Sequence, residues 1–441
     1  MTNAKNPPKR LSTALLNSLS AGVVPRSGLE YVAVGRKEEV AALLQDLENI
    51  AQGGAAFRLI LGKYGSGKSF MLQLIRNYAL ERNFIVADAD LSPERRLAGT
   101  NGYGVGTYRE LVKNLSSKAR PDGGALGAIL EKWISGVQLE VAQGGMDRND
   151  PSFGEAVESK ILEVVGQMQN LVNGFDFASV LTSYWRGHRL EDDVLKAAAL
   201  RWLRGEFSTK TEARAALGVR VIIDDDSWYD YLKLLAQFVS GVGHRGLLVL
   251  IDETVNLYKI THSVAREGNY EKLLSMFNDT MQGKAEHLGL FFGGTPQLLE
   301  DPRRGLFSYE ALRSRLSESR FGREGLRDYS SPVLRLPVLT HEEIFVLLQR
   351  IAEVHAGHHG VTMPLSNAEF TSFMQEAVNR MGADALLTPR EVIRDFVGVL
   401  NIMTQNPGIG FLQVLQSPSF KASTGTPDPE MTSDNFAEFS L

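Results

Sequence analysis

Gly62-Lys63-Tyr64-Gly65-Ser66-Gly67-Lys68-Ser69 matches the phosphate-cradling pattern G-x-x-x-x-G-K-[ST] at every fixed position. The flanks agree with it. Phe57 to Leu61 is a mostly apolar run that reads as a buried strand, and Met71, Leu74, Ile75 and Tyr78 then recur at helical spacing. Strand, glycine loop and helix start therefore follow in the order a P-loop needs. Gly62, Gly65 and Gly67 are expected to take positive φ and turn their N–H groups inward, forming an anion nest that opens onto a helix N-terminus. Lys63, Tyr64 and Ser66 complete the loop around the phosphates. Lys68 reaches the β- and γ-phosphates of ATP as a point charge, and the Ser69 hydroxyl ligates Mg2+.

Far downstream, Leu247-Leu248-Val249-Leu250-Ile251 is wholly apolar and ends in Asp252-Glu253. A strand of this kind suits the centre of a parallel sheet, whose carboxyl ends are where ligands gather. Asp252 then holds Mg2+ and its water, as in a Walker B strand, and Glu253 orients or deprotonates the attacking water. A third apolar run, Leu288 to Phe292, breaks at Gly293-Gly294-Thr295-Pro296. That break presents the Thr295 hydroxyl at the same edge, where a sensor 1 residue touches the γ-phosphate or the attacking water. An ordinary turn at a strand end is the competing reading.

The order of these elements resembles the AAA+ ATPases. The fold class expected is therefore α/β, with a central parallel sheet flanked by helices, a large mainly helical insertion and a small α-helical lid. Val34-Gly35-Arg36-Lys37-Glu38-Glu39 looks like the lead-in segment that wraps the adenine in such proteins, which puts Gly35 at the nucleotide. Glu310-Ala311-Leu312-Arg313-Ser314-Arg315-Leu316 lies where they carry an arginine finger; Arg315 is the first choice, with Arg313 and Arg320 behind it. Three S/T-x-x-E capping boxes, Thr340 with Glu343, Ser366 with Glu369 and Thr388 with Glu391, mark the lid helices. Arg390 then falls in a first helical turn, the place of a sensor 2 arginine, where a cation is unfavourable unless it meets an anion.

The expected division is an N-terminal arm over 1–30, core over 31–90, insertion over 91–240, core again over 241–338, lid over 339–416 and a disordered acidic tail over 417–441. Within the insertion, Tyr108 to Leu115, Leu126 to Trp133, Asp192 to Leu203 and Trp228 to Val239 read as helical, with glycine-rich breaks at Gly99 to Gly106 and Gly144 to Asp150. The tail ends Asp434-Asn435-Phe436-Ala437-Glu438-Phe439-Ser440-Leu441, either a solvated segment or a peptide that docks through Phe436 and Phe439.

Several segments together resemble the BrxD family of ATP-binding proteins from bacterial BREX phage-defence systems. They are the P-loop through Phe70, Asp88-Ala89-Asp90-Leu91-Ser92-Pro93, Gly246 to Glu253, Gly293-Gly294-Thr295-Pro296 and Thr388-Pro389-Arg390-Glu391. The resemblance runs from about Ser18 to Leu415. It implies a cytoplasmic, Mg2+-dependent ATPase, assembled as a homo-oligomer, that loads or remodels partner proteins on DNA. The implied partners are other BREX-type defence proteins, a helicase among them, with DNA met directly or through those proteins. The alternative is a low-turnover, ATP-dependent switch or scaffold that recruits the same partners.

The 441 residues carry 43% hydrophobic content and a formal charge of -5, enough for two or three cored domains and against a globally basic DNA binder. Arg303, Arg304, Arg313, Arg315, Arg320, Arg323 and Arg327 offer a local basic stretch, interrupted by Glu310, Glu318 and Glu324. Cysteine is absent, so disulfides and thiolate metal sites are excluded. No apolar run has transmembrane length and no signal-peptide h-region is seen, so no membrane partner is expected. His355, His358 and His359 read as a glycine-flanked loop rather than a metal site. Little sequence follows the lid, which leaves no room for a winged-helix DNA reader.

Overall fold

The computed structural model describes residues 7–166, 168, 172–317, 328–362, 365–381 and 388–416. Five strands, β1 (Ala55–Leu61), β2 (Ile85–Asp90), β3 (Leu247–Asp252), β4 (Leu288–Gly294) and β5 (Val333–Arg335), form one sheet in the order β2-β3-β4-β1-β5. β2 pairs in parallel with β3, and β3 with β4. β4 is buried along its whole length and β3 at every residue before Asp252, as apolar strands covered on both faces should be. No helix among the described residues is long and apolar enough to cross a membrane.

Two compact units divide the chain. The larger comprises Ala41–Ile60 and Ile75–Leu334; the smaller takes in residues up to Val40, Leu61–Leu74 and those from Arg335 onward.

In the larger unit, β1 is less apolar than its sequence suggests. Arg58 is buried, and its guanidinium grips Asp46 of the helix Lys37–Ala51 with two hydrogen bonds of 2.6 and 2.9 Å. The same guanidinium donates to the Tyr329 carbonyl at 2.9 Å and to that of Ser331, which anchors the chain entering β5. β2 carries two aspartates, Asp88 and Asp90, into the sheet, because its pairing with β3 holds from Ile85↔Leu247 to Asp90↔Asp252. Its outer edge is partly covered: Val86 and Ser116 exchange backbone hydrogen bonds of 3.0 and 2.7 Å.

The segment between β2 and β3 is helical over Tyr103–Lys113, Leu126–Gln143, Phe153–Gly166, Gly174–Arg189, Asp193–Leu203, Lys210–Leu217 and Trp228–Gly241. The first of these starts inside the expected glycine-rich break at 99–106. Asp225 explains this, since its carboxylate accepts from the N–H groups of Gly102, Gly104 and Val105 at 2.7 to 2.9 Å and satisfies that helix N-terminus. The last helix buries Trp228, Tyr231 and Phe238, with Trp133 edge-on to Phe238 at 5.0 Å and Trp202 edge-on to Tyr231 at 5.1 Å.

The smaller unit has its own core. Helices Lys9–Ser20, His341–His359, Asn367–Met381, Pro389–Gln405 and Phe411–Leu415 pool Leu15, Leu348, Ile351, Phe373, Phe396 and Leu400 into one buried cluster. The N-terminal helix is thus part of this core. Two capping boxes form as the sequence predicts. Thr340 accepts from the Glu343 N–H while the Thr340 N–H donates to the Glu343 carboxylate, and Ser366 does the same with Glu369. The third differs: the Thr388 hydroxyl donates to the Glu391 carboxylate at 2.7 Å, and the helix N–H groups donate no bond to it. The three histidines lie in the final turns of the helix His341–His359, not in a loop.

Candidate functional site

β1 ends at Leu61 and the glycine loop follows at once, opening onto the helix Lys68–Glu81. Gly65 and Gly67 take the left-handed conformation, with φ of 77° and 89°. Gly62 does not, contrary to expectation. Its glycine is required by close packing instead, because a Cβ there would lie 2.1 Å from Ser66 Oγ and 2.9 Å from the Leu336 carbonyl. Lys68 Nζ donates to the Gly62 carbonyl at 2.8 Å and the Lys63 carbonyl at 3.2 Å, so the lysine curls over its own loop. Ser66 is buried, and its Oγ has no hydrogen-bond partner.

The lead-in segment packs on this loop within the same unit. Gly35 and Arg36 are both left-handed, with φ of 65° and 61°. Arg36 donates to the Ser66 carbonyl at 3.4 Å and to that of Pro337. A Cβ at Gly35 would sit 2.4 Å from Glu343 Oε1, the carboxylate of a lid capping box. Sequence reading named Gly35 and passed over Arg36; the signal it had was an arginine directly after a glycine in a turn. On the lid side, Arg390 Nη1 donates to the Tyr64 hydroxyl at 3.2 Å, and a Cβ at Gly65 would lie 3.1 Å from Thr388 Cβ. The structure therefore brings Gly35, the P-loop and Arg390 together in the smaller unit.

In the larger unit, the carboxyl ends of β2, β3 and β4 carry the acidic residues. Asp90 and Asp252 are register partners, and Glu253 follows with a left-handed φ of 55°. That conformation is uncommon for a residue with a side chain, and it turns the exposed Glu253 out of the strand line while its N–H donates to Asp252 Oδ1 at 2.8 Å. Thr254 holds the turn: buried, it donates its hydroxyl to the Gly293 carbonyl at 2.5 Å. Asn256 ties the edge further, donating to the carbonyls of Leu91 at 2.9 Å and Glu253 at 3.2 Å. Burial, followed by the charges of Asp252, Glu253 and Asp88, pushes the Asp90 carboxyl above its ordinary range. Sequence reading missed Asp90 and Thr254, although Asp88-x-Asp90 at a strand end was visible.

Thr295 ends β4, which runs on through both glycines to Gly294. Its Oγ1 accepts from the Leu298 N–H at 3.4 Å and caps the short helix Pro296–Glu300. Arg315 and Arg313 lie on the helix Glu310–Leu316. Arg315 donates to Asn278 Oδ1 at 3.0 Å and the Ala311 carbonyl at 2.8 Å, and Arg313 lies 3.7 Å from Glu310. Arg320 lies outside the described residues. Arg304 leaves the basic stretch altogether; it turns inward over the Tyr258 ring at 5.2 Å and donates to the Tyr258 carbonyl.

In the lid, His355 bonds Asn401 at 2.9 Å and His358 bonds Ser12 at 2.8 Å. Among the described residues no group of three or more histidines and acidic residues could hold a metal ion. Comparison with curated proteins gives no match. A family model described as "BREX system ATP-binding protein BrxC/D" matches residues 8–419, from the N-terminal helix through the whole of the described lid. The chain belongs to the BrxC/BrxD family of ATP-binding proteins of BREX systems.

Proposed function

We propose that this protein is an AAA+ ATPase of a BREX-type phage-defence system, in which the P-loop and the acidic edge act on one Mg2+·ATP. The observation that carries the reading is the state of residues 62–69. Two left-handed glycines, a buried Ser66 Oγ without a partner and Lys68 bonded to its own loop carbonyls together fit a polyphosphate. The sheet order β2-β3-β4-β1-β5 and the family match support the same reading. Mg2+ fits the chemistry of Asp252 and Ser69, and a divalent cation would relieve the repulsion gathered around Asp90.

Bound Mg2+·ATP supplies the phosphoryl group and the cation that neutralises it. The chain's own residues do the rest. Gly62, Lys63, Tyr64, Gly65, Ser66 and Gly67 line the phosphates with backbone N–H groups; Lys68 leaves the Gly62 carbonyl for the β- and γ-phosphates. Ser69 and Asp252 would hold the cation, and Glu253, set outward by its φ, would take the proton of the attacking water. Thr295 orients that water or the γ-phosphate. Arg390 closes on the γ-phosphate from the lid, and Gly35 lets the chain pass close to the base. Arg315 of a neighbouring copy stabilises the charge of the transition state, a contribution worth about 10³ to 10⁵ in rate where such fingers operate.

The work done by turnover is the loading or remodelling of other BREX proteins, a helicase among them, on DNA. The second reading, a nucleotide-held switch, makes the opposite demand on Glu253. A Glu253→Gln chain binds ATP and stalls before hydrolysis. Phage restriction lost in cells carrying this variant identifies a motor; restriction kept identifies a switch and overturns the turnover reading.

A further inference from the structure

Tyr64 is the single aromatic side chain in a loop otherwise built of glycines, serines and lysines, and it is 40% exposed. Its hydroxyl accepts the 3.2 Å bond from Arg390 Nη1. Two glycine turns pass close to the same arginine and the helix turn that carries it. The Gly22 turn, at φ 68°, brings its Cβ position within 3.6 Å of Arg390 Cγ, and Thr388 backs against Gly65. A guanidinium in a first helical turn faces the positive end of the helix, and a phenol oxygen offers it no charge to offset that. The bond to Tyr64 therefore fixes where the cation points without neutralising its charge.

We infer that Tyr64 is a positioning residue for Arg390, holding the guanidinium over the P-loop so that it meets the γ-phosphate without first being ordered. The inference rests on the nucleotide reading above and assigns the means by which that site tells a triphosphate from a diphosphate. Arginine carries a large rotamer entropy, and its planar fork has several N–H groups. One directed at Tyr64 leaves others for a phosphate oxygen. The phenol needs no release when the phosphate arrives, so the two contacts act together. The Gly22 turn supplies the back wall, which makes the N-terminal helix part of the device: its core residues Leu15, Leu16 and Leu19 seat it on the lid.

The test is the ratio of affinities for an imido analogue of ATP and for ADP, measured calorimetrically on the full chain with Mg2+. Tyr64→Phe keeps the ring and removes only the hydroxyl. It is expected to lower the triphosphate preference about 3- to 10-fold, the size of one ordinary hydrogen bond. Arg390→Ala is expected to abolish the preference, and Tyr64→Phe added to Arg390→Ala to change the ratio no further. A wild-type ratio in Tyr64→Phe, or an equal effect of that change with and without Arg390, overturns the inference. Failure of the wild-type chain to bind either nucleotide is a different result, which removes the nucleotide site itself.

Discussion

Asp90 at the end of β2 stands in register with Asp252 at the end of β3, so two carboxylates share one edge of the sheet with Glu253 directly after them. Main-chain bonds fix this crowding in place: Leu91 N–H donates to the Asp252 carbonyl at 3.0 Å, and Asn256 closes the corner.

The crowding has a pH signature. The folded protein holds Asp90 above its ordinary 3.8, through burial first and then through Asp252, Glu253 and Asp88. Ionised Asp90 therefore opposes folding, and the opposition grows as pH rises through the folded value and is absent below the unfolded one. Asp90→Asn should raise Tm at pH 7 without Mg2+ by about 1 °C, the size of a solvent-screened charge contact in a large domain. The gain should shrink at pH 4. Scanning calorimetry at the two pH values checks this, and a lowered Tm at pH 7 would contradict it.

The Arg58–Asp46 pair is the most consequential buried ion pair of the β1 region, and burial still holds Asp46 above its ordinary value. Arg58→Leu leaves that carboxylate buried and strips a donor from the Tyr329 and Ser331 carbonyls. A loss of about 3 to 5 kcal/mol is expected in denaturant unfolding. The double change Arg58→Leu, Asp46→Leu should recover a large part of it, because no charge is then stranded. Equal losses in the single and double variants would show that the stranded carboxylate is not the source of the loss.

The lid should be acid-sensitive. Burial and the neighbouring imidazoles hold His355 and His358 below their ordinary 6.5, with Lys9 adding to the effect at His358. The folded lid keeps both rings neutral, so their contribution is complete above pH 6.5 and is lost as pH falls through their lowered folded values. Tm should drop between pH 7.5 and 5, and His355→Gln should flatten that slope while lowering Tm at pH 7.5 by removing a buried ring. Fluorescence-monitored melts across this range decide it.

Arg315 carries the proposed contribution from a neighbour. Arg315→Ala should lower kcat by about 10³-fold, and mixing it with Lys68→Ala should restore part of the activity, since one chain then offers an intact P-loop and the other an intact finger. Arg313→Ala, which removes only a surface contact with Glu310, should cost less than about threefold. A mixture no more active than the sum of its parts would place the arginine's role within its own chain.

What the sequence made legible was local. The apolar runs of β1, β3 and β4 and the two complete capping boxes each announce themselves within a few residues. β5 and the last residues of β2 were not visible, because Val333–Arg335 is short and Asp88 and Asp90 look like a loop until β3 pairs with them. Tertiary pairing also explains Arg58, which reads as a break in an apolar strand until Asp46 is brought beside it. The histidines misled for a different reason. Gly357 and Gly360 flank them, yet Gly357 lies inside the helix and only Gly360, at φ 66°, ends it.

At the site, the P-loop residues were legible because each has a job the pattern states. Gly62 was named for a backbone conformation when its need is space, which only the approach of Ser66 and Leu336 reveals. Arg36, Thr254 and Asp90 were missed because their roles lie in bonds to main-chain carbonyls or in register with another strand.

Steady-state ATP hydrolysis by the full chain, alone and with single- or double-stranded DNA, and with protein concentration varied, measures the proposed turnover itself. Turnover is expected to depend on Mg2+, to rise with protein concentration or with DNA, to be lost in Lys68→Ala together with binding, and to be lost in Glu253→Gln while ATP remains bound. ATP that binds and is never hydrolysed under any of these conditions, or turnover that survives Glu253→Gln, would contradict it.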